Sequence, residues 1–120
     1  MASMKRENVE KLKELLSTDE ALGIICFSKH HSGRINCTRL SELLKTPINK
    51  LKDVCVKLEE LKAVKIHKLG QDHELELLDK DDEELKKIFD EVLWLNKQEY
   101  GRIYKKLITA ELLDFMGDNK

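Results

Sequence analysis

Between Thr38 and Leu78 the spacing of apolar residues changes period, and that change restricts the fold more than any other property of the chain. Up to Leu61 the apolar side chains recur every three or four residues; from Val64 onward they alternate. The first period lines one stripe of a helix and the second lines one face of a strand. Leu40, Leu43 and Leu44 mark a short helix that Thr38 is placed to cap. Thr46-Pro47 announces a longer one, with a capping hydroxyl followed by a proline where the missing N–H costs nothing. Ile48, Leu51, Val54, Cys55, Leu58 and Leu61 carry that helix forward. Val64–Leu69 and His73–Leu78 then alternate on either side of Gly70-Gln71-Asp72, which predicts a hairpin. Its covered face holds Val64, Ile66, Leu75 and Leu77, while Lys65, His67 and Lys68 oppose Glu74 and Glu76. Two helices joined by a short turn and followed by a ribbon make a helix-turn-helix with a wing.

The flanking segments read as helical. Val9, Leu12, Leu15 and Leu16 form one stripe, and Ser17-Thr-Asp-Glu20 is a capping box that opens a second helix at Thr18. That helix contains the nearly continuous apolar run ALGIICF, so it is expected to be central, ending near His31 with Gly33 just beyond. Residues 34–37 are too few for an independent strand and fit a short third edge on the ribbon. The acidic stretch from Asp79 to Glu84 suits the start of another helix. Beyond it, apolar residues continue to Phe115 but lose phase between Asn96 and Gly101, which favours two helices over one. The expected fold class is mainly α with a small β-hairpin, a winged helix-turn-helix followed by one or two C-terminal helices. Its segments are an N-terminal helix over 1–17, the winged domain over 18–79 and a C-terminal helical dimerisation segment over 80–120. The last segment carries more apolar surface than a small winged core covers, so Leu85, Ile88, Phe89, Val92, Trp94, Tyr100, Ile103, Tyr104 and Leu107 are expected in a homodimer interface, the alternative being that the segment folds back on its own domain.

A chain of 120 residues is one domain by length. Its net charge of −1 conceals an asymmetry. Residues 29–70 carry ten lysines and arginines against four carboxylates, net +6, and residues 71–120 are net −6. One part can therefore face a polyanion and the other cannot. No apolar run is long enough to span a membrane and no signal-peptide pattern opens the chain, so a cytoplasmic location without membrane contact is expected. Cys26, Cys37 and Cys55 are odd in number, lack the paired spacing of metal sites, and read as small buried hydrophobes. His30, His31, Cys37, Cys55 and His67 are the one soft-ligand set; the adjacent histidines point to different helix faces, so no metal or cofactor is expected. The nucleophile elbow, phosphate loop and zinc-protease motifs are all missing, and an enzyme is not expected.

The basic region coincides with the helix-turn-helix. A 100° step along the helix from Pro47 turns Asn49, Asp53, Val56 and Glu60 outward, with Lys50, Lys52 and Lys57 beside them. Thr46, Asn49, Lys50, Asp53 and Lys57 are accordingly placed in or along a DNA major groove. There asparagine suits adenine, lysine suits guanine or phosphate, and aspartate can accept from cytosine. Arg39 and Lys45 are placed on phosphates, and Lys68 and His73 are what the wing offers. The run Leu40-x-x-Leu43-Leu44, Thr46-Pro-Ile-Asn-Lys-Leu51, Val54-x-x-x-Leu58-Glu59-x-Leu61-x-Ala63-Val64-x-Ile66 resembles the core of winged-helix regulators of the MarR, ArsR and PadR type. It covers roughly residues 18–78. Lys62-Ala63 stands where those families commonly have Gly-Leu, and their arginine at the wing is missing. The resemblance implies a homodimeric, sequence-specific transcriptional regulator that binds double-stranded DNA, with a small-molecule effector of unknown identity. Asp53, Glu60 and the modest wing motivate the alternative, a protein-interaction module that scaffolds a complex without touching DNA.

Overall fold

The computed structural model describes residues 5–31 and 33–118; positions 1–4, 32, 119 and 120 of the expected segments lie outside the described residues. The described chain is mostly helical, with one small three-stranded antiparallel sheet. Helix α1 (Arg6–Leu16) and helix α2 (Asp19–His30) come first, then strand β1 (Ile35–Asn36). Helices α3 (Cys37–Leu44) and α4 (Ile48–Glu60) follow, then strands β2 (Val64–Leu69) and β3 (Asp72–Leu77). A short 3₁₀ turn at Asp79–Asp81 leads into α5 (Glu83–Leu95) and α6 (Lys97–Asp118).

The sheet order is β1-β3-β2, so residues 35–36 supply the third edge that the four-residue segment suggested. Val64 pairs with Leu77 and Ile66 with Leu75, which puts the alternating apolar residues on the covered face. The opposite face carries charge pairs: His67 Nε2 meets Glu76 Oε1 at 2.8 Å, and Arg34 stands 3.9 Å from Glu74. The hydrogen bond from His67, more than its charge, holds the Glu76 carboxyl below its ordinary range.

Three caps differ from expectation, each for a local reason. Thr18, rather than Ser17, caps α2 by accepting from Ala21 N–H, while the Ser17 hydroxyl donates back to Lys13 O and closes α1. Asn36 caps α3 by accepting from Arg39 N–H at 2.9 Å; Thr38 lies inside that helix and donates to Asp72 Oδ1 at the hairpin. Thr46 makes no side-chain cap for α4, which starts after Pro47. Thr46 instead completes the end of α3, its N–H donating to Ser41 O while Lys45 sits at φ 56°. The end of α4 repeats that arrangement. Ala63 N–H donates to Leu58 O, and Lys62 N–H to Glu59 O, with Lys62 at φ 62°. This is the left-handed helix end usually given to glycine.

One core joins all the segments. Leu12 and Leu16 of α1, the run from Ala21 to Phe27 of α2, and Leu40, Leu51, Leu58, Val64 and Leu75 are buried together. Close approach of α2 to α3 depends on Gly23: a Cβ there would lie 2.6 Å from Leu44 Cδ1. All three cysteines are buried and free, with the Cys37 and Cys55 sulfurs 4.0 Å apart between α3 and α4. Their mutual hydrogen bond, with burial, pushes the Cys55 thiol up and keeps it protonated. Burial beside Cys26 pushes the Tyr100 phenol up to about 12.

The C-terminal segment is two helices, broken at Asn96, whose side-chain amide folds back onto Val92 O and reaches Ser17 Oγ. Gly101 lies inside α6. The interface expected of this segment needs correction. Leu85, Ile88, Phe89, Val92, Ile103 and Leu107 are buried within the single chain, and Tyr100 is half-buried against it. Helix α5 covers α1, and α6 lies across α2 and α3, because these faces would otherwise leave the core open to water. Of the nine expected interface residues, Trp94 and Tyr104 stay exposed. The large apolar side chains left open beside them on α6 are Leu112, Leu113, Phe115 and Met116.

Candidate nucleic-acid interface

Helix α4 is fixed on its inner side by Leu51, Val54, Cys55 and Leu58, so its outer side is determined by the helical period. Asn49, Asp53, Val56 and Glu60 are all exposed, as the sequence spacing required. Lys57 flanks that side toward α1 and Lys50 toward α2, and Lys52 is half-buried. Asn49 stands near the first turn of α4, next to the α3–α4 turn formed by Lys45, Thr46 and Pro47. The assigned residues from 45 to 57 are thereby brought onto one edge of the molecule.

Charge on that edge is not as free as the sequence implied. Lys50 Nζ lies 2.9 Å from Glu20 Oε1, and Glu20 is nearly enclosed at the start of α2. The hydrogen bond to Glu20 is also the main reason the Lys50 ammonium is held above its ordinary range. Lys57 pairs with Asp53 one turn earlier at 3.1 Å. Arg39, expected on a phosphate, meets Asp114 of α6 at 2.7 Å. Exposed pairs such as Lys57–Asp53 and Arg39–Asp114 contribute at most about 1 kcal/mol, so a phosphate can displace the carboxylate from either. Lys50 differs, because releasing it would leave the Glu20 carboxylate enclosed and unpaired.

The wing divides. Lys68 is exposed near the tip and faces His73 across the two strands. His73 itself points to the covered face, in phase with Leu75, and its Nδ1 is buried without a hydrogen-bond partner. Any contact from His73 to phosphate would have to come from its other ring nitrogen, since Nδ1 faces protein. Asp72, also at the tip, is held by Thr38.

Two lysines that sequence reasoning did not select join this edge. Lys105 and Lys106 of α6 line the same cavity as Lys45, in a segment that averages acidic. Their signal was present as a Lys-Lys pair but masked by the charge of the whole tail. His30 and His31 are split as expected, His30 tilting against Tyr104 and His31 reaching Glu111 Oε1 at 2.9 Å. No helix among the described residues is long and apolar enough to cross a membrane. Comparison with family models, curated proteins and solved structures returned no match for this chain.

Proposed function

We propose that the chain is a winged helix-turn-helix regulator that binds double-stranded DNA as a homodimer. The observation that carries this reading is the order α2–β1–α3–turn–α4–β2–β3 closing a β1-β3-β2 sheet, with the outer side of α4 uncovered. In that arrangement α4 enters a major groove, Asn49 reads a base edge, and Lys45, Lys52, Lys57 and Lys68 hold phosphates. The second copy packs on the stripe of α6 formed by exposed Tyr104, Leu112, Phe115 and Met116 with half-buried Ile108 between them. Its spacing places one apolar band along a single side of the helix, where a like band can meet it about a two-fold axis.

Selection from a random duplex pool tests both parts. The expected product is a paired half-site with centres about 34 Å apart; a single half-site would mean that the chain binds as a monomer. Asn49→Ala is expected to reduce the preference for the selected site by roughly 10- to 100-fold, from the loss of one bidentate base contact. Binding to unrelated duplex is expected to stay nearly constant. Equal loss on both kinds of duplex would remove Asn49 from base reading.

One observation favours the other reading. The outer side of α4 presents Asp53, Glu60 and a Val56 that is 44% exposed, and three of the assigned cations are ion-paired within the chain. A basic or apolar protein surface suits that side. Absence of duplex binding at low salt would favour this protein-interaction module.

A further inference from the structure

The surface beside the α3–α4 turn contains a concentration of positive charge of which the major-groove reading uses Lys45 alone. Lys45, Lys105 and Lys106 converge on a cavity of about 300 Å³ between α3 and α6, and no carboxylate lines it. Its floor is Leu43, Ala110 and Leu113, with the Thr109 hydroxyl at the edge. None of the three ammonium groups has an ion-pair partner among the described residues, whereas Arg39, Lys50 and Lys57 all do. A neighbouring cavity of about 230 Å³ shares Lys45 and Lys106 and extends to Thr46 and Lys50. It includes Asp19 and Glu20, but Arg102 holds Asp19 at 2.8 Å and Lys50 holds Glu20 at 2.9 Å. The uncompensated charge along both cavities is thus positive, and it runs from Lys45 of the α3–α4 turn onto Lys105 and Lys106 of α6.

Three like charges are held near one another only at a Coulomb cost, which is lowered when an anion sits among them. Lys45 occupies a left-handed helix end, where its backbone direction is set by two hydrogen bonds, so its stem is aimed by the fold. Lys105 and Lys106 are positioned by Ile103 and Leu107, which bury the opposite side of α6. A ligand with negative charges repeated every several ångströms fits such a ridge better than a single small anion would.

We propose that α6 is a second phosphate-contacting element, and that Lys45, Lys105 and Lys106 grip the sugar–phosphate backbone of the duplex whose major groove receives α4. This rests on the DNA-binding reading above and adds to it a contact from the segment that the charge average assigned away from DNA. Phosphates held there fix the register of α4 without reading sequence.

The test is the salt dependence of binding to a random duplex by the full chain, by Lys105→Ala/Lys106→Ala and by Lys86→Ala/Lys87→Ala. The second pair is exposed on α5 and has the same charge change. Each lost phosphate contact is expected to reduce the slope of log K against log salt by about 0.9. The α6 variant should be shallower by roughly 1–2, with the α5 variant unchanged and Lys105→Arg/Lys106→Arg restoring the slope. All four side chains are exposed, and equal urea midpoints verify that folding is intact. Duplex binding with an unchanged slope in the α6 variant overturns the α6 contact and leaves the α4 reading standing. An equal decrease in both alanine variants overturns it too, because net charge alone would then be responsible. Failure of the full chain to bind duplex at any salt overturns both.

Discussion

A chain ended after residue 80 is expected not to fold. It lacks Leu85, Ile88, Phe89, Val92, Ile103 and Leu107, which are all buried in the one core. Burial of a side chain of this size contributes about 1.5–3 kcal/mol, so six together contribute roughly 9–18 kcal/mol, comparable to the about 5–15 kcal/mol that stabilises an ordinary domain. Removing α5 uncovers α1, and removing α6 uncovers α2 and α3. The expected result is loss of cooperative urea unfolding and of near-ultraviolet circular dichroism, while some helix content remains. A truncated chain that sediments as a folded monomer would show instead that residues 18–79 are an independent domain, which is how the sequence pattern divides them.

Leu51→Ala has the next largest expected effect. Leu51 is fully buried on the inner side of α4, where it holds that helix against the rest of the core. Its loss combines the transfer free energy with a residual cavity, together about 2–5 kcal/mol. Denaturant midpoints give the value directly. Leu69→Ala at the exposed end of β2 is the comparison, because Leu69 is half exposed and its replacement should change stability by no more than about 0.5 kcal/mol. Similar losses at the two positions would contradict the placement of α4.

The parts of the fold that sequence reveals are those governed by short-range periodicity. Leu51, Val54, Cys55 and Leu58 determine both faces of α4, and the alternation around Gly70 determines the hairpin and its covered side. The break at Asn96 is visible for the same reason, as the point where the apolar stripe changes phase. A stripe shows that a face must be covered but not by what. Ile103 and Leu107 would read identically facing α2 or a second copy. Capping is ambiguous at the same scale: Asn36 and Thr38 can each cap a helix, and a bond from Thr38 to Asp72, 34 residues away, accompanies the choice of Asn36.

For the candidate interface, helical geometry correctly orients Asn49, Asp53, Val56 and Glu60, yet its electrostatics depends on partners far along the chain. Glu20 meets Lys50 and Asp114 meets Arg39 through the packing of α2 and α6, and neither pairing has a local signature. Averaging charge over residues 71–120 also concealed Lys105 and Lys106, which the path of α6 returns to the basic edge. Strand alternation alone does place His73 in phase with Leu75, so its inward direction was legible.

Titration of the intact chain into a labelled random duplex at 50 and 200 mM salt tests the proposed binding of this edge to DNA through several phosphates. The four lysines assigned to phosphates in the α4 reading alone give a slope near −3.6 for each bound chain, a decrease in affinity of roughly 150-fold between the two conditions, and Lys105 and Lys106 steepen it further. Absence of binding at 50 mM salt, or an affinity that does not change between the two, would contradict it.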